Sequence, residues 1–190
     1  MMRALLPLLF FFGLPFWQTK PPEKWSDLDI DEILHNSPWA QTTGPSPEVL
    51  VYLATAGPVE DAEEELRLRS KDPLPEPDPD YAAYISDNGD KALVLAIPYP
   101  AHGTAGIAKP DELHTMEEES VMIVGHKTYQ ILGYFPPMST DPVLRLVFPR
   151  VVRDTDKNVV FRLYLAGISF PEREVQFRVK DLMYHGRLAM

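Results

Sequence analysis

The sequence predicts a mainly β protein, namely an antiparallel β-sandwich or open barrel with one or two peripheral helices. Its clearest signal is a period of two in hydrophobicity near the C-terminus, as in half-buried antiparallel strands. Several short strand-like segments follow one another closely before that point, which is typical of sandwiches and barrels. The chain of 190 residues also holds 20 prolines. Because each proline removes a backbone donor and fixes φ, this content argues against an all-helical bundle.

The composition is that of a globular protein that folds by burying apolar side chains. Apolar residues make up 45% of the chain and charged residues 24%, which is a globular rather than a disordered composition. Cysteine is absent, so disulfides, thiolate metal sites and cysteine nucleophiles are excluded. A chain of this length can nonetheless build a sufficient core without cross-links.

Residues 1–19 have the form of a secretory signal peptide. Arg3 supplies a positive charge, and an apolar run of 14 residues follows from Ala4 to Trp17, which is the order of an export signal. Such a run measures about 21 Å as a helix and is shorter than the hydrocarbon core of about 30 Å, so we expect no membrane span. The sequence therefore predicts a secreted or periplasmic protein that is cut near Thr19. A buried N-terminal core segment is the alternative.

Residues 20–71 are predicted to form an N-terminal helical and strand segment. Its first helix begins at Ser26, whose hydroxyl can cap the free backbone N–H groups. A strand follows at residues 49–53. A second helix begins near Pro58, with acidic residues early and basic residues late, as the helix dipole favours. The first helix is flanked by two residues that we expect to pack on the core, Trp25 and Trp39.

Residues 72–80 alternate proline with acid, and this pattern predicts an extended connector. It leads to a β-rich body, residues 81–190, which we expect to form one domain with the N-terminal segment. The body begins with a predicted hairpin of residues 81–86 and 91–97. Its turn is Asn88-Gly89, a preferred two-residue hairpin turn because both residues tolerate positive φ.

The rest of the body is predicted to be strands that follow an irregular stretch over residues 98–119. The first of these strands are expected at residues 121–124, 128–134 and 143–148. A final antiparallel pair has one apolar face, which carries Val159, Phe161, Leu163, Leu165, Val175, Phe177 and Val179. Because polar side chains alternate with this face, the pair is expected to bury one side only.

Charge is distributed unevenly along this acidic chain. The formal net charge is −10, which disfavours phosphate backbones, so no nucleic-acid partner is expected. From Val143 onwards the chain has nine basic and five acidic residues, whereas residues 1–142 have nine basic and 23 acidic ones. The candidate binding face consists of the most visible outward cations of the final strand pair, Arg162, Arg178 and Lys180. The alternative is that the basic strands lie beside acidic segments of the same fold.

No sequence motif identifies a catalytic residue, and no cofactor or metal is expected. Residues 154–158 begin like a calcium loop, but Val159 and Leu165 stand where that loop needs Gly and Glu, so we expect a plain turn. Residues 102–106 faintly resemble a glycine-rich oxyanion loop, yet the chain lacks the Gly-x-Ser-x-Gly elbow that accompanies one. The five histidines show no zinc-peptidase spacing.

A set of phrases near the two ends of the chain carries a family resemblance. They are Lys24-Trp25, Ile33-Leu34-His35-Asn36-Ser37-Pro38-Trp39-Ala40, Phe148-Pro149-Arg150, Asp156-Lys157-Asn158-Val159 and Val179-Lys180-Asp181-Leu182-Met183-Tyr184-His185-Gly186-Arg187-Leu188. The set resembles a family of small exported bacterial proteins of unknown function, sometimes grouped with GWxTD-domain proteins, although that string is absent here. The resemblance implies export and a compact domain. It implies no activity and no catalytic residue.

These observations predict an exported, non-catalytic interaction module of the bacterial cell envelope. It would bind an envelope protein or another envelope component through a sheet face or edge. The alternative is a secreted hydrolase that uses an Asp/Glu pair, which would need two carboxylates about 5–10 Å apart in one pocket. A purely structural envelope component is a third possibility.

Overall fold

A computed structural model describes residues 14–44, 46–71, 77–99 and 109–190. The α-helices in this part of the chain are Phe16–Thr19 (α1), Asp27–His35 (α2), Gly57–Arg69 (α3), Pro79–Asn88 (α4) and Pro110–Glu119 (α5). The strands are Ala40–Thr43 (β1), Val49–Leu53 (β2), Ala92–Pro98 (β3), Val121–Val124 (β4), Lys127–Gln130 (β5), Gly133–Phe135 (β6), Val143–Pro149 (β7), Asn158–Tyr164 (β8), Glu172–Arg178 (β9), Met183–Tyr184 (β10) and Arg187–Leu188 (β11).

Two antiparallel sheets form the body of the protein. One sheet has the order β1-β2-β3-β7-β6, the other has the order β5-β4-β8-β9, and β10 pairs with β11 in a short ribbon. The two sheets meet through aromatic rings: the ring of Phe148 in β7 lies 5.2 Å from that of Phe161 in β8, which lies 5.9 Å from that of Phe177 in β9. All three side chains are fully buried. The predicted fold class, a mainly β antiparallel sandwich with helices, is therefore confirmed.

The five-stranded sheet is covered on both of its faces. Six successive residues of β3, residues 92–97, are buried, so side chains on both sides of this strand are shielded from water. On the side away from the second sheet, the α4 rings of Tyr81 and Tyr84 lie 5.4 and 5.6 Å from the ring of Phe135 in β6. Helices therefore add a third layer to the sandwich.

The first long helix, α2, begins where its cap was predicted. The Ser26 hydroxyl accepts a hydrogen bond from the Asp29 N–H at 3.1 Å, and the Asp29 carboxylate accepts one from the Ser26 N–H at 2.8 Å. This reciprocal capping box satisfies two backbone donors at the helix start. Burial opposes ionisation of Asp29, but the Ser26 hydrogen bond and the Lys20 ammonium lower its pKa. The two flanking tryptophans pack in the core as predicted, Trp25 and Trp39.

The predicted strand over residues 81–86 is wrong, because Pro79–Asn88 form α4. Asp78 caps this helix by accepting a hydrogen bond from the Asp80 N–H at 2.9 Å, and a proline fits its first position. Its core-facing side chains recur at helical spacing and are Tyr81, Tyr84 and Ile85. Asn88-Gly89 therefore ends a helix and does not form a hairpin turn, while the predicted strand at 91–97 exists as β3.

The stretch of residues 98–119, predicted to be irregular, contains the helix α5. A proline at its first position and the acidic side chains of Asp111 and Glu112 in its first turn favour a helix start. Leu113 and Met116 lie three residues apart and pack on the core. This spacing is helical, and it is the sequence signal that identifies α5.

The predicted strand over residues 128–134 is divided between the two sheets. Lys127–Gln130 form β5 and pair with β4, as the predicted hairpin across Gly125 requires. Gly133–Phe135 form β6 and pair with β7 in the other sheet. The exposed residue between them, Leu132, belongs to the short passage where the chain crosses from one sheet to the other.

Four sequence features lie wholly or partly outside the described residues, one of them the predicted irregular stretch, whose residues 100–108 are outside. Residues 102–106, the glycine-rich stretch, are outside them. So are residues 72–76 of the predicted connector, whose last two residues begin α4. Residues 1–13 of the predicted signal peptide are also outside.

Gly44, which follows β1, is required by the close approach of a buried arginine. Its φ is +95°, and a Cβ at this position would collide with the Nε and Cδ atoms of Arg173. Arg173 is 4% exposed, and its guanidinium donates hydrogen bonds to the backbone carbonyls of Glu172 and Ser169 at 2.9 and 3.0 Å. The arginine is therefore held in place and cannot retreat without losing these bonds.

We expect Gly44→Ala to lower the free energy of unfolding by about 2–4 kcal/mol. The alanine backbone would be strained at this positive φ, and its Cβ would collide with the Arg173 side chain. Urea denaturation of the full chain measures this loss. Gly133→Ala is the matched control, because a Cβ there meets nothing within 4 Å. Equal losses in the two variants would contradict the assigned role of Arg173.

Candidate functional site

An open groove of about 960 Å³ lies where three parts of the chain meet. We call it the edge groove, because one side of it follows the edge strand β9. Its three walls contain residues from 14–18, 36–41 and 176–186. The first wall comes from the predicted signal segment, the second from the turn between α2 and β1 together with Gln41 of β1, and the third from β9 and the residues after it.

Aromatic stacking holds the first wall on the domain. The ring of Trp17 lies 5.7 Å from that of the fully buried Trp39, in an edge-to-face arrangement. The ring of Phe16 lies 5.9 Å from that of Trp25. Edge-to-face aromatic pairs add stabilisation beyond the area that they bury. Two residues of the predicted signal segment, Phe16 and Trp17, thus pack against the core.

A side-chain amide completes this attachment. Gln18 donates a hydrogen bond from Nε2 to the Met183 carbonyl at 2.5 Å and accepts one at Oε1 from the His185 N–H at 3.1 Å. Farther along, the Trp25 indole donates to the Lys20 carbonyl at 3.1 Å. A cut near Thr19 would remove the Gln18 bonds and both ring contacts. The predicted signal peptide remains a prediction, and these contacts agree with its alternative, an N-terminal core segment.

The second wall is a turn that is fixed from inside the fold. The Ser37 hydroxyl donates to the Ile33 carbonyl at 2.7 Å and accepts from the Trp39 N–H at 3.2 Å. The Trp39 indole donates to the Ala189 carbonyl at 2.8 Å. This wall therefore presents two side-chain amides to the groove, that of Asn36 in the turn and that of Gln41 in β1.

The third wall carries two of the three predicted cations. In β9, buried and exposed residues alternate along the whole strand, so Gln176 and Arg178 face outward as predicted. Lys180 follows in a one-turn 3₁₀ helix. The Arg178 Nε atom lies 2.6 Å from the Asp181 carboxylate. Lys180 has no ion-pair partner among the described residues, so this wall carries a net positive charge.

The structure separates Arg162 from the other two cations. Arg162 lies in β8 and lines a second depression of about 360 Å³ together with Glu119, Glu172 and Glu174. Its Nε atom lies 2.9 Å from the Glu174 carboxylate, opposite it across the β8–β9 pair. The edge groove therefore brings together Arg178 and Lys180 and leaves Arg162 outside.

Sequence reasoning missed two of the groove's three walls. Trp17 and Gln18 belong to the predicted signal peptide, and the resemblance phrase that covers the α2–β1 turn implies no binding role. One signal was available: Trp17 ends the apolar run, and two further tryptophans follow within 22 residues of it. Three large rings so close in sequence can pack together only if the segment stays with the domain.

A second group of ionisable side chains lies buried between the five-stranded sheet and its helices. Arg145 of β7 donates to both oxygens of the Asp141 carboxylate, at 2.6 and 3.2 Å. Its guanidinium lies 4.3 Å from the centre of the Tyr81 ring. Asp141 also accepts from the Asp78 N–H at 2.9 Å. Because these groups satisfy one another, the cluster ties α4 to the sheet and leaves no charge for a ligand.

Glu63 in α3 borders this cluster, and burial raises its pKa while the Arg145 guanidinium opposes the shift. Folding therefore favours its protonated form, and the associated stability is lost as the pH rises through the folded pKa. We expect Glu63→Gln, which cannot ionise, to melt at a higher temperature than the wild type at about pH 8. The gap should narrow below about pH 4, where the acid is protonated in both states.

Calorimetry across this pH range checks the Glu63 prediction. Glu64→Gln on the same helix is the control, since the Glu64 side chain is 58% exposed. A melting-temperature gap for Glu63→Gln that stays constant with pH would contradict burial as the cause.

Among the described residues, no group of three or more His, Asp or Glu side chains could hold a metal ion. Within the same ranges, no helix is long and apolar enough to cross a membrane. Residues 154–157 lie between β7 and β8, and Asn158 begins β8; in this connection the Asp156 carboxylate accepts from the Arg153 N–H at 2.8 Å. Comparisons with known protein families, with curated proteins and with solved structures find no match for this chain.

Proposed function

We propose that this chain is an exported, non-catalytic interaction domain of the bacterial cell envelope. It binds an envelope protein or another envelope component at the edge groove. One observation carries the proposal: the groove gathers the cations of Arg178 and Lys180 beside amide side chains and the Trp17 ring. Amides supply paired donors and acceptors, and cations supply charge, so together they can orient a polar ligand.

Export is supported by features of the sequence. A basic residue precedes a long apolar run at the start of the chain, and this order is typical of secretory signals. Both ends of the chain resemble small exported bacterial proteins. A secreted or periplasmic location follows from this proposal.

The make-up of the groove favours binding over the alternative of a hydrolase. Asp181 is the sole carboxylate among the described residues that line the groove, and Arg178 engages it at 2.6 Å. A carboxylate mechanism needs two such groups, one of which accepts or donates a proton.

The second depression is the place that a hydrolase would use. It contains three carboxylates. One of them, that of Glu174, is ion-paired with Arg162, whose Nε atom lies 2.9 Å away. The remaining pair is Glu119 and Glu172. A hydrolase of this kind would show hydrolytic activity as a purified protein, and Glu119→Gln would abolish that activity. Our proposal predicts that the purified protein has no such activity.

The proposal is tested by capture of partners from a solubilised envelope extract with the full chain. We expect the double variant Arg178→Gln/Lys180→Gln to retain at least about tenfold less of any captured component, since each removed charge weakens a complementary contact. Arg162→Gln is the control, because it removes a neighbouring cation of the same sheet from outside the groove. Capture that is equal in the two variants would overturn the proposal, and so would the absence of binding both to the extract and to intact envelope membranes.

A further inference from the structure

We infer that the envelope component bound at the edge groove is the anionic surface of a lipid bilayer. This inference rests on the proposed function and names the ligand of the same groove. It commits to phosphate-bearing lipid headgroups on a membrane, and a protein partner becomes an alternative outcome of the test.

The first supporting observation is an apolar element at the mouth of the groove. Leu14 lines the groove, and its side chain is 73% exposed. In the sequence, the 11 residues from Ala4 to Leu14 contain no charged side chain. An exposed leucine beside cations is typical of a surface that binds at the membrane interface.

The second observation is the set of side chains beside that element. Trp17 lines the same groove as the two cations, Arg178 and Lys180. Tryptophan rings concentrate at the level of lipid headgroups because one end is apolar and the other can donate a hydrogen bond. Lysine and arginine next to an apolar segment attract anionic lipid. A single apolar anchor binds a protein to a membrane only weakly. A basic patch supplies the second attraction that stable membrane binding needs.

The third observation is that the fold fixes the position of the apolar element relative to the cations. The contacts of Phe16 with Trp25 and of Trp17 with Trp39 hold the segment on the core. Gln18 ties it to the backbone at Met183 and His185, directly after the residues that carry the cations. The fold therefore holds Leu14 in the same groove as Arg178 and Lys180. The inference requires that the chain retains this segment after export.

The acidic net charge of the whole chain does not oppose this surface. At physiological ionic strength, charges more than about 8 Å away are largely screened in water. Among the described residues that line the groove, Asp181 is the sole acidic side chain, and it is paired with Arg178. Lys180 then leaves the groove locally positive.

The experiment is co-sedimentation of the full chain with vesicles of phosphatidylcholine alone or of phosphatidylcholine with phosphatidylglycerol. We expect binding to the anionic vesicles and at least about tenfold weaker binding to the neutral ones, with affinity falling as salt is added. Equal binding to both vesicle types would overturn the inference, and so would a salt-independent affinity for the anionic vesicles.

Two pairs of variants distinguish binding at the groove from a general effect of the protein's charge or hydrophobicity on vesicle binding. Arg178→Gln/Lys180→Gln should weaken binding to anionic vesicles about 30-fold, since each basic residue near the surface contributes about tenfold or less. Lys91→Gln/Lys127→Gln removes the same charge from exposed residues outside the groove and should change binding less than twofold. Leu14→Gln should also weaken binding, whereas Leu68→Gln, at a residue with a similar exposure of 69%, should not. Equal effects within either pair would overturn the inference.

The vesicle test and the extract test together distinguish the two proposals. If vesicles are not bound but the extract yields a component whose capture needs Arg178 and Lys180, the lipid inference fails and the proposed function stands. If neither vesicles nor the extract give binding that depends on the groove, both proposals fail.

Discussion

Trp39→Ala is expected to lower the free energy of unfolding by about 4 kcal/mol, within the range found for large aromatic residues in cores. Its side chain is fully buried and lies between two rings, 5.7 Å from that of Trp17 and 6.3 Å from that of Tyr184. Its indole also donates to the Ala189 carbonyl at 2.8 Å. The substitution would open a cavity and leave that carbonyl unpaired.

The loss is measured by urea denaturation, and Leu28→Ala is the control because Leu28 is 80% exposed. Since Trp39 supports the Trp17 ring, amide hydrogen exchange in residues 14–18 should also accelerate in Trp39→Ala. A loss below about 1.5 kcal/mol would contradict the assignment of Trp39 as a central core residue. Unchanged exchange in residues 14–18 would contradict its role in holding the N-terminal wall.

Arg145→Met is expected to cost about 3–5 kcal/mol, because it leaves the Asp141 carboxylate buried without its counter-charge. The two side chains are 8% and 7% exposed, so solvent does not screen the lost pair. The variant also removes the contact of the guanidinium with the Tyr81 ring, which helps to hold α4 on the sheet.

A double-mutant cycle with Asp141→Asn separates the charge effect from packing. We expect Arg145→Met/Asp141→Asn to recover part of the loss, since no unpaired charge then remains buried. Arg162→Met is the control, because the Arg162–Glu174 pair is solvent-exposed and such pairs contribute about 1 kcal/mol or less. Equal costs for Arg145→Met and Arg162→Met would show that burial of the Arg145 pair is unimportant.

The sequence predicts best where hydrophobicity has a period of two. In β8 and β9 every second side chain is buried, so the strands, their pairing and their outward cations follow directly from the pattern. The Ser26 cap and the proline at the start of α3 were equally readable, because capping depends on a few adjacent residues.

Prediction failed where the hydrophobic pattern of a short segment fits both the period of a strand and the period of a helix. Residues 81–86 alternate well enough for a strand, and Asn88-Gly89 follows like a hairpin turn. The helix forms because Asp78 caps it and because the α4 tyrosines find the Phe135 ring. That ring lies in β6, far along the chain, so a local pattern could not reveal it.

The sequence predicted no groove, and of the residues that line it only two belong to the predicted binding face, Arg178 and Lys180. Arg178 and Lys180 could be identified because they are outward cations of a clear strand pair and the residues after it. Their neighbours in the groove come from distant parts of the chain. A sequence pattern cannot show which turn and which N-terminal residues the fold brings to a sheet edge.

The mass of the protein recovered from the envelope of expressing cells tests the central claim most directly, namely that residues 14–18 are a permanent wall of the groove. The contacts of Phe16, Trp17 and Gln18 predict a mature chain whose first residue is Leu14 or an earlier one. A stably folded mature chain that begins after Thr19 would contradict the claim, because the groove would then have lost its first wall.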